Sequence, residues 1–180
     1  GKTALLLQAA HNYEEQGMKV LVAKPAKDTK GDMNIVSRIG LERKVDFLIT
    51  PEDNVYKYVK NYNEDIKCIF VDEAQFLEKI QVDELMQIVI KLNIPVICYG
   101  LRTDFQANGF TGSTRLLEIA HTIEEMKTIC KCGKKAMYNG RMVNGKFTFD
   151  GDQIAIDGKD KVTYEALCPH CYYDKLITYN

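Results

Sequence analysis

Four thiols stand in two short pairs toward the end of the chain, Cys130-x-Cys132 and Cys168-x-x-Cys171. Each pair fits a single turn. Two such pairs make a four-sulfur set that closes a tetrahedral Zn²⁺ site with no open position, the pattern of a structural metal. Residues 133–167 separate the pairs, a wider gap than a zinc ribbon uses, so a hairpin must fold between them. A redox dithiol at Cys168 and Cys171 is the other reading of the second pair. His170 is a less apt ligand because it lies inside the turn. The last two of the six cysteines, Cys68 and Cys98, lie in apolar runs and read as core thiols.

A second set of residues points to phosphate. Gly1-Lys2-Thr3 is the closing triplet of G-x-x-x-x-G-K-[ST], and an apolar helical pattern follows it directly. In that arrangement helix N-terminal amides cradle phosphates, the Lys ammonium reaches the terminal phosphates and the Thr hydroxyl ligates Mg²⁺. The rest of the motif is expected to precede residue 1. Val71-Asp72-Glu73-Ala74-Gln75-Phe76 closes an apolar run with two carboxylates. Asp72 can hold Mg²⁺ there, leaving Glu73 free to take a proton from a nucleophile. Alone, the triplet could be chance and the acidic pair a helix N-cap. Together they favour a nucleotide site.

The elements that must position these groups follow from periodicity. Residues 2–16 form a helix stopped by Gly17, and 19–24 (KVLVAK) a strand running into a polar loop, 27–32. A short helix is expected near 34–39, a strand near 46–49 and a helix over 54–62. Residues 67–71 (KCIFV) and 95–99 (PVICY) are near-continuous apolar runs, expected as strands buried on both faces. Helices are expected over 82–92 and 114–120, and a strand over 125–129. Strands alternating with helices imply a parallel α/β sheet, with chemistry at the strands' C-terminal ends, where the polar segments 27–32, 72–75 and 100–106 fall. After Cys130 the texture changes. Asn144-Gly145 between alternating residues signals a hairpin, and 153–156 alternates too. The expected division is 1–129, an α/β domain, and 130–180, a small β-rich subdomain stapled by the thiols.

The bulk composition narrows the function. One hundred and eighty residues, 46% hydrophobic and 27% charged, suffice for one cored domain with an appendage. A net charge of −1 argues against a broad polyanion-binding surface. No run of about 18 apolar residues is present, so no transmembrane helix is expected, and with no signal peptide the chain reads as cytoplasmic.

Taken in order along the chain, the motifs resemble the zinc-bearing, P-loop thymidine kinases of nucleoside salvage. Gly1-Lys2-Thr3, Lys27-Asp28-Thr29, Ser37-Arg38-Ile39-Gly40-Leu41, Val71-Asp72-Glu73-Ala74-Gln75-Phe76, Tyr99-Gly100-Leu101-Arg102-Thr103-Asp104-Phe105, Ile129-Cys130-Lys131-Cys132-Gly133 and Tyr164-x-x-x-Cys168 carry the resemblance. It implies a RecA-like P-loop parallel sheet with helices on both faces, plus a small zinc-binding β-rich subdomain. It implies transfer of the ATP γ-phosphoryl group to the 5′-hydroxyl of thymidine, with Glu73 as general base. Gly1, Lys2, Thr3, Asp28, Lys30, Asp72, Glu73, Ala74 and Gln75 would bind ATP and Mg²⁺. Phe76, Leu101, Phe105 and Tyr164 would enclose thymine, with Arg141 nearby. Gln153, Ile154, Ala155, Ile156 and Asp157 match the family's lasso-like loop, whose backbone holds the base edge. Cys130, Cys132, Cys168 and Cys171 match the zinc ligands anchoring it. Family members are typically homotetramers inhibited by dTTP, and both are expected.

Lys30 stands where some relatives carry Arg, Asp157 where they carry Gly, and about two extra residues precede Tyr164. The competing readings are a helicase-like ATPase, a zinc-dependent interaction module with a relic nucleotide site, and a kinase for another deoxynucleoside. The first would need a second α/β lobe and a more basic surface.

Overall fold

A computed structural model describes residues 1–27, 33–155 and 158–179; Asp28, Lys30, Ile156 and Asp157 lie outside the described residues. Contacts divide the chain into two compact units. The first comprises Gly1–Leu101 and Thr111–Ile123, the second Arg102–Phe110 and Glu124–Asn180.

The first unit runs α1 (Lys2–Glu15), β1 (Lys19–Pro25), β2 (Asn34–Val36), β3 (Glu42–Lys44), β4 (Phe47–Ile49), α2 (Val55–Lys60), β5 (Ile66–Val71), α3 (Lys79–Gln87), β6 (Val96–Cys98) and α4 (Thr111–Ile119). A parallel sheet of order β4-β1-β5-β6 forms its centre. Strict alternation sends Leu21, Ala23, Ile69 and Val71 into one core with Val55 and Val59 of α2 and Val82 and Leu85 of α3. Val20, Val22, Cys68 and Phe70 enter the other with Leu6, Leu7 and Ala10 of α1. Burial on both faces explains why β1 and β5 read as continuous apolar runs. The chain leaves β1 toward β4 and returns to the other side as β5. The order therefore reverses between β1 and β5, where ligands of open α/β sheets bind.

Polar side chains fix the ends of several elements. Gly17, at φ +71°, ends α1, with its amide on the Glu14 carbonyl at 3.0 Å. The Asn54 side chain accepts from the Lys57 amide at 2.9 Å, and buried Glu84 accepts from the Val55 amide at 2.8 Å.

Three expectations are corrected in this unit. The helix expected near 34–39 is instead β2, paired antiparallel with β3. Ile35 is buried between exposed Asn34 and Val36, a period of two, and Gly40 at φ +84° turns the chain. The strand expected to be buried on both faces at 95–99 is the edge strand β6, with Ile97 40% exposed and Cys98 only partly buried. The helix expected over 82–92 starts earlier, at Lys79, and finishes as a π-helical turn, Ile88–Leu92.

The second unit carries β7 (Thr128–Ile129), β8 (Lys135–Ala136), β9 (Tyr138–Val143), β10 (Lys146–Thr148), β11 (Val162–Leu167) and α5 (Pro169–Tyr179). The antiparallel order is β10-β9-β11, and the expected hairpin turns at Asn144-Gly145, both at positive φ. The strand expected over 125–129 is confined to Thr128–Ile129, and none forms over 153–155. A helix, α5, accompanies the β-rich part where none was expected. Its signals were Pro169 at the first helical position and apolar Tyr172 and Leu176 four residues apart. The core here is small: Cys130, Phe149, Leu167, Cys168 and Tyr172. Among the described residues no helix is long and apolar enough to cross a membrane.

Candidate active site

In the first unit, Lys2 and Thr3 occupy the first turn of α1, and Asp72 follows the last residue of β5. These residues, 69 apart in sequence, meet: the Thr3 hydroxyl donates to Asp72 Oδ2 at 3.1 Å. Asp72 is 4% exposed, its amide donates to the Ala23 carbonyl at 2.9 Å, and its Oδ1 accepts from the Glu73 amide at 3.0 Å. Burial, then the neighbouring Glu73 charge, push its pKa above the ordinary carboxylate value, against the Glu73 amide, the Thr3 hydroxyl and the Lys2 ammonium. A buried carboxylate beside a hydroxyl, at a helix N-terminus with an ammonium nearby, offers hard oxygen donors that suit Mg²⁺.

Glu73 sits at φ +51°, in the left-handed region that non-glycine residues rarely adopt. This bend turns the chain out of β5 into the 3₁₀ turn Ala74–Phe76. The Ala74 amide donates to the Tyr99 carbonyl at 2.9 Å, tying the turn to the chain beyond β6. Gln75 Nε2 donates to Glu73 Oε2, and Gln75 Oε1 accepts from the Leu101 amide at 3.2 Å. Phe76 lines a cavity of about 200 Å³ with Pro25, Lys27 and Gln81 among others, and Lys27 Nζ lies 4.8 Å from its ring centre.

In the second unit the organiser is Arg141, on the central strand β9 and 4% exposed. Its Nη1 donates to the Asp152 carbonyl at 2.7 Å, Nη2 to the Gln153 carbonyl at 2.9 Å, and Nε to the Tyr164 hydroxyl at 3.2 Å. The guanidinium lies 3.7 Å over the Phe105 ring. Tyr164 faces Arg141 across the β9–β11 ladder and is 53% exposed. Phe105, 1% exposed, is held from behind: the Tyr172 hydroxyl donates to its carbonyl at 2.8 Å. Asp104 Oδ1 accepts from the Gln106 and Asn108 amides at 2.9 Å each, and its Oδ2 accepts from Gln153 Nε2 at 3.0 Å. Ile154 and Ala155 are half-buried.

The four thiols gather in the same unit, with all four sulfurs within 4.8 Å of one another. Tetrahedral Zn–S bonds of about 2.3 Å require sulfurs about 3.8 Å apart, so the set fits that ion. Local backbone builds each half. The Cys130 amide donates to the Lys134 carbonyl and the Gly133 amide to the Cys130 carbonyl, both at 2.8 Å, with Gly133 at φ +87°. Cys168 precedes α5, whose Cys171 amide points at its sulfur at 3.5 Å. Backbone donors at Cys132 and Cys168 draw the Cys130 thiol down to about 6, while hydrogen bonds with the Cys168, Cys132 and Cys130 sulfurs push Cys171 up to about 12. The set thus favours a thiolate at Cys130 and Cys168 at the expense of Cys171, and a cation would favour ionisation of all four.

Known proteins of this pattern exist. A family model described as thymidine kinase matches residues 1–172. The chain belongs to the thymidine kinase family. The thymidine kinase of Enterobacteria phage T4 is 46% identical over 172 residues, 93% of this chain and 87% of that protein. That of Francisella tularensis subsp. holarctica is 46% identical over 160 residues, covering 87% and 81%. That of Streptococcus pyogenes serotype M3 is 43% identical over 179 residues, covering 98% and 93%. The chain is thus an enzyme, a kinase of this family, and its parallel sheet and thiol cluster agree with that membership.

The residues expected from the resemblance fall in both units of this thymidine kinase family member. Gly1, Lys2, Thr3, Asp72, Glu73, Ala74, Gln75, Phe76 and Leu101 are in the first; Phe105, Arg141, Gln153, Ile154, Ala155 and Tyr164 are in the second, with the thiols. Sequence reasoning missed Asp104 and Tyr172. Asp104 lay within a quoted motif, and Tyr172 required the unexpected helix α5.

Proposed function

We propose that this enzyme phosphorylates the 5′-hydroxyl of thymidine from ATP, giving dTMP and ADP in deoxynucleoside salvage. The observation that carries the reading is the Thr3–Asp72 hydrogen bond, which brings the phosphate-loop hydroxyl and the strand-end carboxylate together beside Glu73. Gly1, Lys2, Thr3, Asp72 and Ala74 bind ATP, together with Asp28 and Lys30, and Thr3 and Asp72 hold Mg²⁺. Bound there, Mg²⁺ neutralises charge on the phosphate oxygens. Glu73 takes the proton of the 5′-hydroxyl as its oxygen bonds to the γ-phosphorus. The bond from that phosphorus to the β–γ bridging oxygen breaks, and that oxygen leaves on ADP with the electron pair. Lys2 offsets charge on the transferring group.

By the family resemblance, Phe76, Leu101, Phe105 and Tyr164 are the thymine-contacting residues, and residues 153–157 correspond to the loop whose backbone would read the base edge and disfavour purines. Arg141 holds the start of that segment through the carbonyls of Asp152 and Gln153. Cys130, Cys132, Cys168 and Cys171 would hold structural zinc, and a metal there would supply a staple that lowers the ordering cost of thymidine binding. The same reading carries cytoplasmic location, a homotetramer and inhibition by dTTP.

The test is a product assay on full-length protein with ATP, Mg²⁺ and, separately, thymidine, deoxycytidine and deoxyadenosine. Monophosphate from thymidine alone, largely lost in Glu73→Gln, is the expected result. No nucleoside phosphorylation by folded, zinc-loaded protein would overturn it.

A further inference from the structure

Gln75 has a geometry of its own within the acidic turn. It is 2% exposed, and both ends of its amide are engaged, Nε2 on the Glu73 carboxylate and Oε1 on the Leu101 amide. A flipped amide would set oxygen against carboxylate and N–H against N–H, so the network fixes its orientation. Close packing fixes its position. A Cβ on Gly100 would lie 2.8 Å from Gln75 Oε1 and 3.1 Å from its backbone nitrogen. A Cβ on Gly112 would lie 2.3 Å from the Ala74 carbonyl oxygen and 2.9 Å from that of Leu77. Two glycines therefore let the chain after β6 and the first turn of α4 close directly onto the turn. The Leu101 carbonyl is held in addition by the Ser113 hydroxyl.

We infer that Gln75 is a positioning residue that aims the Glu73 carboxylate, rather than a contact to ATP. Glu73 leaves β5 on a left-handed backbone, and its side chain has several rotamers open to it. The Gln75 N–H selects one, and the bond to Leu101 keeps Gln75 from following Glu73 if that carboxylate turns away. The inference rests on the reading of Glu73 as general base. It adds that orientation of the base depends on Leu101 being seated. A misaimed base lowers turnover without weakening substrate binding.

The experiment measures steady-state and single-turnover kinetics of the full-length enzyme with ATP, Mg²⁺ and thymidine. Gln75→Met keeps the length and removes both hydrogen bonds. Gln75→Glu keeps an acceptor for the Leu101 amide but replaces the donor to Glu73 with a second carboxylate, which repels it. Both should lower kcat by about 10- to 100-fold with KM for ATP and thymidine within about twofold. In the Glu73→Gln background neither should lower the residual turnover by more than about twofold, because the group they act through is gone. Ser113→Ala, which frees only the Leu101 carbonyl, should cost less than about threefold in turnover. Equal losses in both backgrounds, a proportional rise in KM for ATP, or wild-type turnover in Gln75→Glu would each overturn the inference. Near wild-type turnover in Glu73→Gln alone would overturn the base assignment itself, separately from the Gln75 result.

Discussion

The two units hold their functional side chains by different means. In the first, Asp72 and Glu73 extend a strand buried on both faces, and a backbone bond from Asp72 to Ala23 ties them to the neighbouring strand. Two apolar cores, one on each sheet face, support that position. In the second, the buried cluster around Cys130, Phe149, Leu167, Cys168 and Tyr172 is small, and polar clasps hold the chain around it: Arg141 on two carbonyls, Gln153 on Asp104, Tyr172 on Phe105. A site at the C-terminal end of a buried interior strand inherits the sheet's stability. A site on a small β-rich unit needs staples, and the four thiols lie where a staple is needed.

The largest expected effect tests the first unit. Asp72→Asn should lower turnover by at least about 10³-fold, since it removes the carboxylate proposed to hold Mg²⁺. The same change should raise the melting temperature of the ligand-free protein, increasingly so as pH rises above the ordinary carboxylate range. The sign follows from linkage: the folded pKa of Asp72 is raised, so the folded state binds more protons and loses stability as pH rises through that range. A function-destroying change that stabilises the fold marks a site built for its ligand. Calorimetry at two pH values alongside activity checks both.

The next effect tests the second unit. Removing metal with a chelator, or Cys168→Ser, should lower the unfolding temperature of residues 124–179 while β1 and β5 keep their amide protection from hydrogen exchange. Uniform loss of protection across both units would erase the contrast.

Arg141→Lys comes third. It keeps the charge but loses the planar fork that reaches two carbonyls and lies over Phe105. kcat/KM for thymidine should fall about 10- to 100-fold with KM for ATP nearly unchanged. Smallest is Tyr172→Phe, which leaves the Phe105 carbonyl unpaired in a buried setting and should cost about 1–2 kcal/mol of stability. Its loss should appear in denaturant unfolding and only a few-fold in thymidine KM.

The same contrast governs how much was legible in the sequence. β1, β5 and α1 could be read, and with them the place of Asp72 and Glu73 at the end of β5, because buried parallel strands and an amphipathic helix impose strong periodicities. β2 was misread as helix because three residues are too few for a period to show, and Ile35 alone is buried. Edge strand β6 was misread as fully buried because an apolar run does not reveal whether it has one neighbour or two. The thiol pairs were legible from spacing, whereas α5 beside them was not expected. The clasps were the least legible. Arg141 reaches the carbonyls of Asp152 and Gln153, and Tyr172 the carbonyl of Phe105, through contacts with backbone groups that any residue carries.

The most direct test of the division is titration calorimetry on metal-depleted protein, with ATP·Mg²⁺ and thymidine offered separately. ATP·Mg²⁺ should still bind within about threefold of its affinity for the zinc-loaded protein, while thymidine affinity should fall by at least about 100-fold. Thymidine binding undiminished without metal, or ATP·Mg²⁺ and thymidine lost together, would contradict that division.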